Sequence, residues 1–252
     1  MSWPPVIAGL VALALWQGAV WATGVPAYLI PGPIAIVQAF VAAPLLLLGS
    51  LASTLVVTFT ALAVSTVLGV GMAVAITASR WARAAIQPWA VALQVTPVVA
   101  IAPLIIAWVG DPFAALVACA TIVAFFPIFS NTTIGLASPP PELLDLFRLN
   151  GAGSWATLRL LRLPAALPYF LAGLRVSGGL ALVGAVVAEF VAGAGGFASG
   201  LAYRILESGY RLQIPRMFAA LVLLSAAGIA IHAVLGVFGR WLLRRRGEAG
   251  GT

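Results

Sequence analysis

The side chains able to do chemistry are few and scattered. The 252 residues hold one Cys (Cys119), one His (His232), six acids and thirteen Arg, with no Lys. A lone Cys excludes an intrachain disulfide, and one Cys with one His excludes a Cys- or His-cluster metal site. A phosphate-cradling P-loop needs its Lys, so ATP hydrolysis by that route is excluded too. His232 sits inside an apolar run and the acids are far apart in sequence, which leaves no nucleophile–base–acid arrangement. The expectation is a chain that is not an enzyme and holds no cofactor or metal.

The densest run of polar residues lies between Ser138 and Pro168. Pro139, Pro140 and Pro141 precede Glu142, and proline near a first turn suits a helix start. Glu142 and Asp145 fall in the first turns and Arg148 falls late, the order that complements the helix dipole. Leu143, Leu146, Phe147 and Asn150 follow i, i+3, i+4, i+7 spacing, so a mostly apolar face is presented. Gly151 is placed to stop the helix. Such a helix offers an apolar knob to a partner.

The rest of the chain must hold that helix, and its composition says how. Hydrophobic residues make up 63% and charged residues 8%, against about 25% charged in a soluble domain. Lipid is the fitting solvent. The formal charge of +7 does not indicate nucleic acid, because the arginines separate long apolar runs instead of lining a polar face. At about 20 apolar residues per crossing, six spans are expected, near residues 6–23, 54–78, 88–109, 113–134, 169–191 and 217–243. The first reads as a retained helix, not a cleaved signal. Pro26, Pro31, Pro33 and Pro44 break the connector before the second span, with room for a short interfacial helix near Ile34–Val41. Gly110-Asp111-Pro112 makes a tight turn. The fold class is all-α, one domain over 1–252, with the polar loop at about 138–168.

Six spans put both ends on one side. That side takes Arg80, Arg83, Arg148, Arg159, Arg162, Arg240, Arg244, Arg245 and Arg246. The other takes Arg204, Arg211 and Arg216, and Arg175 lies just inside the fifth span. The positive-inside rule therefore makes the termini and the polar loop cytoplasmic.

The loop resembles the EAA loop of binding-protein-dependent ABC importer permeases. Set on that motif, the acid is Asp145, the glycine is Gly151, Leu161 stands for the motif's isoleucine, and Leu163-Pro164 close it. The departures are Asp for Glu, and Leu146-Phe147 for two alanines. Gln94-Val95-Thr96-Pro97 through Gly110, Phe126 through Thr132, and Pro168-Tyr169-Phe170 with Gly173-Leu174-Arg175 and Ala188-Glu189-Phe190 resemble the nitrate, sulfonate and taurine branch. The likeness spans roughly 25–243. It implies a type I permease in a bacterial cytoplasmic membrane, acting as a homodimer with two cytoplasmic ATPase subunits and a periplasmic or lipid-anchored binding protein. The implied cargo is a sulfonate-, taurine- or nitrate-like anion, a pyrimidine vitamin precursor or riboflavin. The implied ATPase-coupling residues are Glu142, Leu143, Asp145, Leu146, Phe147, Arg148, Asn150, Gly151, Leu161, Leu163 and Pro164.

Two stripes of small residues stand out. Gly173, Ser177, Ala181 and Ala185 precede Glu189 at steps of four. They suit a dimer seam or pathway lining, with Glu189 near its outer end, or Glu189 simply pairs locally at the water interface. Ala61, Ser65, Gly69, Ala73 and Thr77 form the second stripe, expected to pack against another helix. His232, between Gly228 and Gly236, is expected to bond to a neighbouring helix. Phe197–Arg211 reads as an outer amphipathic helix carrying a Glu207–Arg211 pair. Arg244–Arg246 reads as an anchor at acidic lipid headgroups. Two alternatives stand beside this reading. An ion-gradient-driven secondary transporter needs membrane-embedded coupling acids, and Glu189 alone qualifies. That reading also leaves the polar loop without a role; the second, a membrane-embedded scaffold with no transport role, would be excluded by co-purification with an ATPase and a loss of uptake.

Overall fold

The computed structural model describes residues 3–193 and 199–245; Phe197 and Arg246, named above, lie outside the described residues. Helices follow in order: α1 Trp3–Thr23, α2 Pro33–Ala42, α3 Pro44–Ala78, α4 Arg80–Val95, α5 Val98–Val109, α6 Pro112–Ala137, α7 Pro141–Leu149, α8 Ser154–Thr157, a π-turn Leu158–Arg162, α9 Leu163–Ala192, α10 Leu201–Tyr210 and α11 Ile214–Arg245. No strand occurs among the described residues. Five helical stretches are long and apolar enough to cross a bilayer, and a sixth arises if α4 and α5 count as one span.

That sixth case corrects the expectation for 88–109. Pro88 sits inside α4, and the chain turns by 107° between α4 and α5. Thr96 is extended (φ −75°, ψ 121°), as a residue before proline must be, and Pro97 brings no N–H to continue the ladder. The second span also departs from expectation. Pro44 opens α3 instead of belonging to a connector, because proline at a first turn costs no hydrogen bond. The short helix expected at 34–41 is α2.

Two compact units divide the chain. The first comprises Met1–Thr54 and Gly193–Ala227. Its core is Ile36, Leu47, Leu201, Ile205, Ala219 and Ala220, flanked by Trp16, Phe40 and Phe218. Gln17 of the largely exposed α1 accepts the Ile34 N–H at 3.1 Å, satisfying an orphan donor of α2's first turn. The Thr54 hydroxyl oxygen does the same for Leu201 N–H at 2.9 Å, fixing the start of α10. On α10, Glu207 binds Arg204 at 2.7 Å and Arg211 at 2.9 Å. The expected i, i+4 pair is thus half of a three-residue network. The Arg204 hydrogen bond holds the Glu207 carboxyl below its usual range; partial burial opposes this, and the charges of Arg204, Arg211 and Arg216 reinforce it. A depressed folded pKa stabilises above the unfolded value of about 4.3 and stops doing so as pH falls through the folded one. Protection of the α10 amides relative to their intrinsic exchange at each pH should therefore fall on acidification below about pH 4, and Glu207→Gln should abolish that step. An unchanged pH profile in the variant would count against the network.

The second unit comprises Leu55–Ala192 and Gly228–Thr252. Its packing centres on α6 against α9. A methyl on Gly173 would lie 2.7 Å from the Pro127 carbonyl oxygen, and one on Gly184 would lie 2.8 Å from the Ala120 Cα. Lipid supplies no hydrophobic drive for helices to associate, so small residues that let backbones meet supply the contact. Ser177 donates to the Ala124 carbonyl at 2.6 Å and Ser65 to the Thr121 carbonyl at 3.1 Å. The Ala61–Thr77 stripe packs as expected, with Gly69 against Ile128 and Phe129 of α6. Cys119 is buried among these helices. His232 is exposed and makes no hydrogen bond to a neighbouring helix among the described residues, contrary to expectation.

Candidate coupling site

Local backbone chemistry sets both ends of α7. Pro140 holds an extended N-cap (φ −63°, ψ 149°) and Pro141 is the first helical residue. At the other end Gly151 takes φ +70°, a conformation that L side chains avoid. Gly151 N–H bonds to the Arg148 carbonyl and Ala152 N–H to the Phe147 carbonyl, the paired closure of a Schellman motif. Asn150 adds a side-chain bond to the Leu146 carbonyl at 2.8 Å. The result is nine helical residues with sharp ends.

Leu143, Leu146 and Leu149 project outward at 41%, 51% and 86% exposure. Leu144 and Phe147 are half-buried on the other side. The apolar face therefore includes Leu149 and leaves Phe147 turned partly inward, a rotation from the face expected. Asp145 pairs with Arg148 at 3.0 Å, both side chains largely in solvent, so the pair contributes little stability. Glu142 is exposed in the first turn.

A cleft of about 460 Å³ lies under α7, lined by Leu144, Arg148, Trp155, Leu158 and Arg162, with Thr77 at the end of α3. The half-buried Leu161 lies in the π-turn across this cleft, and Leu163 and Pro164 open α9. Pro164 accounts for the π-turn. Its ring cannot sit over the carbonyl four residues back, and the Leu163 N–H reaches instead to the Leu158 carbonyl five back. Trp155 and Arg162 were not singled out from sequence; nothing in their spacing signals a cleft.

The second group of expected site residues is placed differently. Ser177, Ala181 and Ala185 are fully buried and Glu189 is 2% exposed. Gly173 and Ser177 meet α6 of the same chain, so this part of the stripe packs within the subunit. Glu189 is not a surface acid; it is buried and partnered.

Comparison with known proteins accords with this architecture. Residues 65–247 match the family described as the binding-protein-dependent transport system inner membrane component. The chain is 32% identical over 255 residues to the riboflavin transport system permease protein RibX of Chloroflexus aurantiacus, covering 96% of this chain and 91% of that one. It is 33% identical over 232 residues to the formylaminopyrimidine transport permease protein ThiX of Halalkalibacterium halodurans, covering 92% and 91%. A crystal structure of an amino acid ABC transporter with histidines shares the fold, with TM-score 0.65 at 19% identity over 81% of this chain and 97% of that one. With its long apolar helices, this chain belongs to the family of binding-protein-dependent transport system inner membrane components, as a multi-pass permease subunit of an ATP-binding-cassette importer.

Proposed function

We propose that α7 is the helix through which a separate ATPase subunit drives this permease. The observation that carries the reading is α7 itself, which exposes three leucines and has both ends locked by its own backbone. Exposed apolar side chains on a polar-rimmed knob mark a protein partner. In this reading two copies of the chain form the pathway, each seated on one ATPase, and a binding protein delivers solute on the opposite face. In this reading α7 and both termini are cytoplasmic, which the arginine asymmetry supports. ATP binding closes the ATPases, they shift α7, and the spans alternate between outward-open and inward-open states. The cargo is a small organic solute, and the names of the relatives point to flavin- or pyrimidine-like molecules.

Cross-linking tests the proposal. Leu146→Cys in the assembled transporter should form a disulfide with a cysteine placed in the ATPase surface cleft, and a thiol reagent confined outside the cell should not block it. Cys119 is buried and stays silent. Labelling of Leu146→Cys from outside the cell, or cross-linking absent at every ATPase position tried, would sink the proposal.

A further inference from the structure

The break between α4 and α5 opens a second cleft, of about 330 Å³, lined by Leu93, Gln94, Thr96, Val98, Phe126 and Leu180 among others. No lining residue carries a charge. The Gln94 side chain is exposed and makes no hydrogen bond among the described residues. The Thr96 hydroxyl is spent on the Ala92 carbonyl at 2.7 Å. Pro97 and Pro127 interrupt the backbone ladders on the two sides of the cleft.

These features share one physical meaning. Non-helical backbone at membrane depth is tolerated where it is buried in protein or lines a wet cavity, not where it meets lipid. The 16 residues of α4 set the break about 24 Å along that helix from Arg80 at its start. A free primary amide beside that break is equally ill-suited to hydrocarbon. Discontinuous helices in transporters characteristically surround the transported solute.

We propose that this cleft is a solute contact on the translocation pathway, suited to an uncharged planar molecule such as a nitrogen heterocycle. The Gln94 amide offers one acceptor and two donors, which match the mixed edge of such a ring. Phe126 offers a face to stack on. No guanidinium is present to receive a sulfonate or nitrate, and no carboxylate to receive a cation. The proposal rests on the chain being the pathway-forming subunit, and adds where the solute touches it and with what charge.

The test labels Gln94→Cys in the complete transporter with water-soluble methanethiosulfonates, one anionic and one cationic. Wild type, whose lone Cys119 is buried, provides the blank. Leu93→Cys provides a second position if Gln94→Cys fails to assemble. Labelling by both reagents is expected, with rates differing by about tenfold or more between nucleotide-free and ATP-vanadate-trapped states. The anionic-to-cationic rate ratio should stay within about threefold of that for a free thiol. Reaction with a lipophilic maleimide alone would place the cleft against lipid and overturn the proposal. A state-independent rate would remove it from the pathway. A bias of about tenfold or more toward the anionic reagent would overturn the charge class. Failure of an ATPase to co-purify counts against the coupling reading, not the cleft, since reagent access still decides the latter.

Discussion

Leu146→Glu is expected to abolish ATP-driven uptake while leaving the permease folded and inserted at wild-type levels. Leu146 faces outward near the middle of α7, and Glu is nearly as good a helix former as Leu. The helix itself should therefore not register the change. A desolvated leucine at the centre of a partner interface is another matter. Central anchors typically cost about 2–4 kcal/mol when removed, and an introduced carboxylate adds desolvation. This corresponds to roughly 30- to 1,000-fold weaker engagement of the ATPase. Uptake in membrane vesicles, read beside the amount of permease in the same vesicles, measures it. Leu146→Met should keep most of the activity. Normal uptake by the Glu variant would remove α7 from the coupling route.

The second large effect is structural. Gly173→Leu should cost about 2–4 kcal/mol and deplete the chain from the membrane fraction. A first methyl there already lies 2.7 Å from the Pro127 carbonyl oxygen and 3.0 Å from the Asn131 Cβ. Relief requires α6 and α9 to separate, because the nearest obstacle is backbone. Overpacking alone costs about 1–3 kcal/mol. Separation would also strain the Ser177–Ala124 hydrogen bond one turn away, worth about 1 kcal/mol more. Gly179 has no neighbour within 4 Å of an added methyl, so Gly179→Ala should keep or slightly raise the melting temperature. Equal melting temperatures for Gly173→Leu and wild type would contradict the packing described.

These two predictions differ in how visible their basis is from sequence. The ends of α7 are legible because Pro141 and Gly151 act on their own backbone, and no distant residue is needed. Its outward face is less legible. Leu143 and Leu146 follow from spacing, but Phe147 is half-buried, and the cleft that takes Leu144 exists only once α8 and the π-turn are folded beneath the helix. The Gly173–Ala185 stripe announces a close approach without naming the neighbour. A second copy and α6 fit it equally well in sequence, since α6 contributes mainly backbone. Apolar length correctly counts the material needed for a span near 88–109, yet it carries no direction, so the 107° turn at Thr96-Pro97 stays hidden. Pro44 shows the same ambiguity, because proline begins helices as readily as it ends them.

The π-turn at Leu158–Arg162 stores one residue more than an α-helix of the same span would hold. The extra residue is absorbed within about one revolution, so removing a single residue there would restore ordinary winding and leave α7 and α8 pointing nearly as before. A one-codon deletion in the regular turns of α9 would instead rotate everything upstream by about 100° about the axis. The foot of α9 is therefore the place where the chain tolerates a change of length without a change of bearing.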